Sequence, residues 1–264
     1  MSVAFKYIKP VFDFTITLFV WVYFIFGYLA FFYPLYLASF VFSSTREISF
    51  QRLNHIFYRS FFFLIRTVNH RQKIRIQNEV RSIRSSVVIC NHISYLDPIL
   101  LISLFKKQKT IVKSIFFRFP VFGWILKTSG YVPSSNREEF MPLMLKNMEG
   151  MEEFLLSGGN LFIFPEGTRS RNGKIGRFSE GAFRIARLCN SPIKVLFIRN
   201  TDILFPPGSF LFNTCVQNSI EVELIGSLEP DYRNNSFSIS GLIEQVRSLY
   251  ENKVYQNNDQ VNNR

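Results

Sequence analysis

The fold of this chain is decided by a twelve-residue segment that reads Val87-Val88-Ile89-Cys90-Asn91-His92-Ile93-Ser94-Tyr95-Leu96-Asp97-Pro98. Its first four residues are β-branched or small and apolar, which predicts a short buried strand. Asp97 is a favoured helix N-cap and proline is tolerated at the first helical position, so a helix is predicted from Ile99 to Phe105. His92 would then lie on a strand-to-helix loop, where functional residues are common.

The spacing of His92 and Asp97 is that of a general base and its partner. An imidazole takes a proton efficiently when an acceptor holds its other ring nitrogen, and Asp97 stands five residues after His92. The other two histidines, His55 and His70, have no carboxylate at that spacing. Cys90 is expected to point into the core, so no nucleophile adjoins His92. This favours activation of a substrate hydroxyl, with a purely structural histidine as the competing interpretation.

A second apolar run ends in a turn made of Phe164-Pro165-Glu166-Gly167-Thr168-Arg169. Proline and glycine punctuate the turn, and an arginine leaves it. A guanidinium bonds two oxygens at once, so an arginine in a glycine-containing turn suits a phosphate group. A Glu–Arg pair on the protein surface is the alternative.

Together the two segments resemble the glycerolipid acyltransferase family. Its first motif, an Asn-His pair with Asp five residues after the His, is matched by Asn91, His92 and Asp97, and its second long motif is matched without a gap by Phe164 to Arg169. The resemblance implies that His92 and Asp97 are catalytic. It implies a substrate-binding set made of Asn91, Glu166, Gly167, Thr168, Arg169 and Arg137.

Two positions depart from the family pattern. Arg137 stands one residue later than the family's arginine, and Val195 replaces a proline in the strand after Pro192-Ile193. These regions are thought to shape the choice of acceptor.

The resemblance implies transfer of a fatty acyl group to the sn-2 hydroxyl of 1-acyl-glycerol 3-phosphate, which gives phosphatidic acid. The donor would be a thioester of coenzyme A or acyl carrier protein, with no other cofactor and no metal. Another lysophospholipid or a glycolipid is the alternative acceptor. From a different class of function, the alternative is a non-catalytic membrane protein that binds anionic lipid.

Composition separates two kinds of anionic partner. The 264 residues carry a formal charge of +12, which suits either nucleic acid or an anionic membrane with phosphorylated substrates. Basic residues flank apolar segments and no motif for nucleic-acid reading is present, so membrane lipid is favoured. The three cysteines are widely separated, which predicts neither a disulfide framework nor a zinc site.

The stretch from Phe14 to Phe42 contains no charged residue. As one helix it would reach about 44 Å, against roughly 30 Å of bilayer hydrocarbon. It is therefore expected to tilt, to bend near Pro34 or to return as a hairpin. Positive residues on both sides favour two ends on the cytoplasmic face, the inner membrane in a bacterium, with a single tilted span as the alternative.

A helical pattern follows this stretch. Leu53, Ile56, Phe57, Phe61, Leu64, Ile65 and Val68 repeat at helical spacing, opposite a stripe formed by Arg52, Arg59 and Arg66. Such a helix could lie among lipid headgroups or pack against the catalytic domain.

The remaining pattern indicates an α/β fold with a mixed, mainly parallel sheet flanked by helices. Further strands are predicted at 73–77, 161–164, 193–198 and 220–225, and a helix at 181–188. The predicted regions are a membrane-anchoring helical region at 1–70, a catalytic domain at 71–252, and a disordered tail at 253–264 whose composition is rich in Asn and Gln. The resemblance implies the same glycerol-3-phosphate acyltransferase-like fold, with membrane-associated helices at the N-terminus.

Overall fold

The computed structural model describes residues 3–134, 138–170 and 175–262. A seven-stranded sheet lies at its centre, in the order β1-β7-β6-β2-β5-β3-β4. The strands are β1 Gln72–Ile76, β2 Ser86–Cys90, β3 Gln108–Val112, β4 Val132–Pro133, β5 Asn160–Ile163, β6 Ile193–Arg199 and β7 Asn218–Leu228. All neighbouring pairs are parallel except β6 and β7. The predicted mixed, mainly parallel sheet is confirmed.

Helices pack on both faces of the sheet, and among the residues that the structure describes three α-helices precede its first strand in the chain. They are α1 Val3–Val22, α2 Tyr33–Phe42, α3 Arg46–Val68, α4 Asn78–Ser82, α5 Leu96–Leu104, α6 Pro120–Thr128, α7 Met141–Glu149, α8 Met151–Leu156, α9 Gly181–Leu188, α10 Thr201–Leu204 and α11 Ile239–Asn262. Strand β2 shows why both faces are covered. Its side chains alternate between two hydrophobic cores, with Val88 and Cys90 in one and Val87 and Ile89 in the other. A strand buried on both faces needs an unbroken apolar run, which is what the opening segment supplies.

The apolar N-terminal stretch stays helical throughout. A π-helix at Tyr23–Phe32 joins α1 directly to α2, so the chain does not turn back between Phe14 and Phe42. The irregularity precedes Pro34, which occupies the first turn of α2. Pro34 has no N–H to donate to the turn before it, so it interrupts the hydrogen-bond ladder at this point, and the wider π turns lie directly before it.

Helix α3 packs against the sheet domain, which is the second of the two predicted alternatives. Phe57, Phe61 and Ile65 are buried in the core that also contains Val88, and Arg52, Arg59 and Arg66 are exposed. Polar residues also lie on the buried face. Asn54 accepts a hydrogen bond from Tyr36 at 2.6 Å and donates one to Ser129 at 2.9 Å. Helix α3 thus joins the N-terminal helices and the sheet domain in one core.

The C-terminal segment differs from its prediction. Disorder was expected from residue 253, but α11 continues to Asn262. Lys253 forms an ion pair with Glu223 of β7 at 2.5 Å, and Val254 packs against the second core. These contacts lie far away along the chain, so the composition of the segment alone does not reveal them.

Candidate active site

Three loops meet at one edge of the sheet because β2, β5 and β6 run parallel and end there. His92 follows β2, Glu166 follows β5 and Thr201 follows β6. In α/β sheets, the crevice outside the carboxyl ends of the strands is the usual ligand site. The loop that contains His92 and the turn from Phe164 to Arg169 therefore lie next to each other at this edge.

His92 and Asp97 form the predicted pair. His92 Nδ1 lies 2.9 Å from Asp97 Oδ2, and the Asp97 side chain is fully buried while that of His92 is 17% exposed. The prediction of Asp97 as an N-cap is wrong, because α5 already begins at Leu96. Its Oδ2 instead accepts the backbone N–H groups of Ile93 at 2.7 Å and Ser94 at 2.8 Å.

This geometry selects one tautomer of His92. A buried carboxylate only accepts hydrogen bonds, so Nδ1 carries the proton and Nε2 keeps its lone pair. The imidazole is stacked on Phe164, with ring centroids 4.4 Å apart and an interplanar angle of 29°. The ring is held from its edge by Asp97 and from its face by Phe164, which suits it to take a proton at Nε2.

Glu166 braces the loops, and its predicted contact with substrate is not supported. Its Oε1 accepts the backbone N–H of His92 at 3.2 Å, and its Oε2 accepts that of Gly176 at 2.8 Å. Ser170 adds a second link by donating its N–H to the His92 carbonyl at 2.8 Å. Burial raises the pKa of Glu166, although the two N–H donors oppose the shift. Glu166 therefore positions His92.

Arg169 lies beside the crevice in a setting that suits an anion, and its role in substrate binding stays a prediction. Its guanidinium carbon lies 3.4 Å from the centroid of the Tyr95 ring, and its Nη1 is buried without a hydrogen-bond partner among the described residues. A buried N–H of a cation left unpaired is costly, so its partner is expected to be a ligand. The neighbouring Gly167, at φ +66°, and Thr168 are exposed and could also meet one.

Asn91 uses its amide within the fold, and its predicted contact with substrate stays a prediction. It is buried, its Nδ2 donates to the Ile198 carbonyl at 2.9 Å, and its Oδ1 accepts the Ile198 N–H at 2.7 Å. Both ends of the amide are thus used to hold the end of β2 against β6. The predicted phosphate ligand Arg137 lies outside the described residues.

Two residues of the site were missed. Thr201 donates its hydroxyl to Asp97 Oδ1 at 2.5 Å, and Tyr95 lies under the Arg169 guanidinium. Tyr95 stands inside the opening segment, but its contact with Arg169 of the second motif is a tertiary one that the sequence does not show. For Thr201 no local signal exists, because it is 104 residues from its partner.

Comparisons with known proteins agree with this fold. A family model described as "Acyltransferase" matches residues 71–199. A chloroplastic 1-acyl-sn-glycerol-3-phosphate acyltransferase of Brassica napus is 35% identical over 123 residues, 47% of this chain and 35% of that protein. A chloroplastic enzyme of the same name from Arabidopsis thaliana is 33% identical over 134 residues, 51% of this chain and 37% of that protein. The matched region thus spans about a third of the length of these two relatives.

A solved structure is similar over nearly the whole chain. The crystal structure of the 1-acyl-sn-glycerophosphate acyltransferase PlsC from Thermotoga maritima has a TM-score of 0.71, with 20% sequence identity, and covers 94% of this chain and 97% of that one. At this identity the likeness establishes the fold. The segment at residues 71–199, which contains His92, Asp97 and Arg169, thus matches the model of the acyltransferase family.

Proposed function

We propose that this protein is a membrane-bound acyltransferase that esterifies the sn-2 hydroxyl of 1-acyl-glycerol 3-phosphate to form phosphatidic acid. The observation that carries the proposal is the His92–Asp97 pair, at 2.9 Å, beside Arg169, whose buried Nη1 has no hydrogen-bond partner among the described residues. A phosphorylated alcohol needs both a base for its hydroxyl and a cation for its phosphate. The names of the Brassica and Arabidopsis relatives support the same acceptor.

In the proposed reaction, His92 Nε2 removes the proton of the sn-2 hydroxyl as its oxygen attacks the thioester carbonyl. The tetrahedral intermediate then collapses, the carbon–sulfur bond breaks, and the imidazolium returns the proton to the departing thiolate. The products are an ester and a free thiol. Asp97 stabilises the imidazolium during the step, and general-base assistance of this kind is worth about 10²–10⁴-fold in rate.

The donor in this scheme is an acyl thioester of coenzyme A or acyl carrier protein, and the scheme uses no other cofactor. Arg169 binds the acceptor's phosphate through Nη1, and Gly167 and Thr168 line the approach to it. Glu166 and Thr201 touch no substrate atom and act through His92 and Asp97.

The proposal places the N-terminal helices in lipid. The stretch Ile8–Phe42 is the one helix in the described part of the chain that is long and apolar enough to cross a membrane, and 22% of its most apolar 18 residues is buried. One side of it packs along α3 through Val20 and Tyr36, so its exposed side is the part available to lipid. Arg52, Arg59 and Arg66 would add roughly 1 kcal/mol each through anionic headgroups. The active site would then open on the cytoplasmic face.

A transfer assay tests this function. The purified protein in vesicles is given 1-acyl-glycerol 3-phosphate with a labelled acyl-coenzyme A or acyl-acyl carrier protein, and the product is expected to be labelled phosphatidic acid. A parallel panel contains lysophosphatidylcholine, glycerol 3-phosphate and a glycolipid, and His92→Ala is the inactive control. Preference for another acceptor would overturn the assigned substrate. Binding to anionic vesicles without transfer to any acceptor would support the non-catalytic alternative.

A further inference from the structure

We propose that four aromatic side chains form the binding surface for the acyl chain of the lysolipid acceptor and guide it from the membrane to the active site. They are Tyr95, Phe205, Trp21 and Phe210. This inference rests on the proposed function and concerns the acceptor's apolar half, which the His92–Asp97 pair and Arg169 leave unassigned.

The four rings connect the arginine of the site to the N-terminal helix without a gap. Tyr95, under the Arg169 guanidinium, lies 6.4 Å from Phe205, measured between ring centroids. Phe205 lies 6.2 Å from Trp21 of α1, and Trp21 is stacked on Phe210 at 6.0 Å with an interplanar angle of 15°. One end of this aromatic path is therefore cationic and the other adjoins the apolar helix. A lysolipid has the same polarity, with a phosphate at one end and a single chain at the other.

Exposure distinguishes this surface from ordinary core packing. Phe205, in the middle, is buried at 7%, but Tyr95 is 53% exposed and Phe210 is 67% exposed. Core packing accounts for Phe205 and gives no reason for two large aromatic side chains to remain open to solvent at the two ends. If an acyl chain binds here, Tyr95 at the active site and Phe210 near the membrane become buried against it. That burial of apolar surface favours binding.

The segment that carries Phe205 and Phe210 is held at both ends, so the surface exists before the lipid binds. On the membrane side, the Asp13 carboxylate accepts the N–H of Thr214 at 2.7 Å, and the Thr17 hydroxyl accepts that of Phe212 at 2.9 Å. On the site side, Ser94 donates its hydroxyl to the Phe205 carbonyl at 3.0 Å. Asp13 is only 4% exposed, and its charge is compensated by an ion pair with Lys9 at 2.6 Å together with its bonds to this segment. Preorganisation of this kind lowers the entropic cost of binding.

The test uses Phe210→Ala and, as a matched control, Phe31→Ala. Phe31 lies on the apolar N-terminal helical stretch and is 70% exposed, about as much as Phe210, and among the described residues its ring contacts none of the four aromatic side chains. Both variants and the wild type are assayed in detergent micelles with acceptors that carry a long chain of about 16 carbons or a short one of about 6. Loss of contact with one or two methylene groups raises KM by roughly 4- to 15-fold.

We expect this rise for Phe210→Ala with the long-chain acceptor, a change under about twofold with the short one, and no change for Phe31→Ala. Equal loss with both acceptors, or the same loss in Phe31→Ala, would overturn the path and assign Phe210 to general membrane contact. Unchanged KM values would overturn it as well. The proposed function itself fails in a separate way, through absence of transfer by the wild type to either acceptor.

Discussion

Thr201 Oγ1 donates a hydrogen bond to Asp97 Oδ1 at 2.5 Å and so ties the end of β6 to the His92–Asp97 pair. Asp97 thereby receives four donors, because its other oxygen accepts from His92, Ile93 and Ser94. Several donors on one buried carboxylate fix its orientation. The carboxylate therefore keeps the imidazole in one rotamer and one tautomer.

Replacement of the base is expected to abolish transfer. His92→Ala removes the Nε2 acceptor, so kcat should fall by about 10²–10⁴-fold, and Asp97→Asn should also be severely impaired because the imidazolium loses its partner. Turnover is measured on variants whose circular dichroism and vesicle binding match the wild type. A folded His92→Ala protein that retained more than about a tenth of wild-type turnover would contradict the mechanism.

Thr201 is expected to act as a positioning residue. Thr201→Val keeps the shape of the side chain and removes the donor to Asp97. A hydrogen bond to a charged group contributes at least about 1.5 kcal/mol, so kcat should fall roughly tenfold. Thr201→Ser restores the hydroxyl and should recover most of the rate. Thr67→Val, which removes an exposed hydroxyl bonded to the Phe63 carbonyl, is the control. Loss in Thr201→Ser equal to that in Thr201→Val would indicate a packing role instead.

Arg169 is expected to serve the acceptor and not the donor. Loss of a charge-assisted hydrogen bond costs roughly 1.5–3 kcal/mol, so Arg169→Ala should lower kcat/KM for the acceptor by at least about tenfold. Arg169→Lys should rescue poorly, because a lysine lacks the planar fork and stacks less well on Tyr95. Arg184→Ala, a surface arginine paired with Glu180, is the matched control. Equal loss against donor and acceptor would mean that Arg169 holds the turn together.

Glu166 is expected to give the protein a distinctive pH dependence of stability. Burial raises the pKa of Glu166 above its ordinary value of 4.5. The folded state thus binds this proton more tightly than the unfolded chain, and stability falls as the pH rises through the interval between the unfolded and folded pKa values. Glu166→Gln should flatten this part of the Tm–pH curve above pH 4.5. Glu149→Gln, at an exposed position, is the control and should give the same Tm–pH curve as the wild type. A wild-type curve for Glu166→Gln would show that Glu166 does not cause this pH dependence.

The N-terminal helix is expected to anchor the protein by apolar contact. Phe26 and Leu18 are 64% and 53% exposed on it, and carboxylates at these positions would have to enter lipid. Phe26→Asp with Leu18→Asp should release the protein from vesicles, whereas high salt or carbonate should leave the wild type bound. Arg233→Asp, an exposed site away from this helix, is the control for a change in charge alone. Complete extraction of the wild type by salt or carbonate would argue against the anchor.

Features that depend on neighbouring residues were readable from the sequence. Strand β2 was predicted from four apolar residues, and α9 was predicted with its observed bounds, Gly181–Leu188. The His92–Asp97 contact was also predictable, because Asp97 stands only five residues after His92, at the start of the helix that follows the loop. Apolar periodicity and loop length act over a few residues, so sequence reasoning handles them well.

Sequence alone determined the α/β class, the apolar N-terminal helix, the contact between His92 and Asp97 and the turn that carries Arg169. Tertiary structure decided that Asn91 joins two strands, that Glu166 braces the His92 loop, that Thr201 completes the Asp97 environment and that α3 packs on the sheet domain. Each of these depends on a hydrogen bond or apolar contact between segments far apart in the chain. The order of strands in the sheet chooses which loop ends meet, and no local pattern of residues encodes that order.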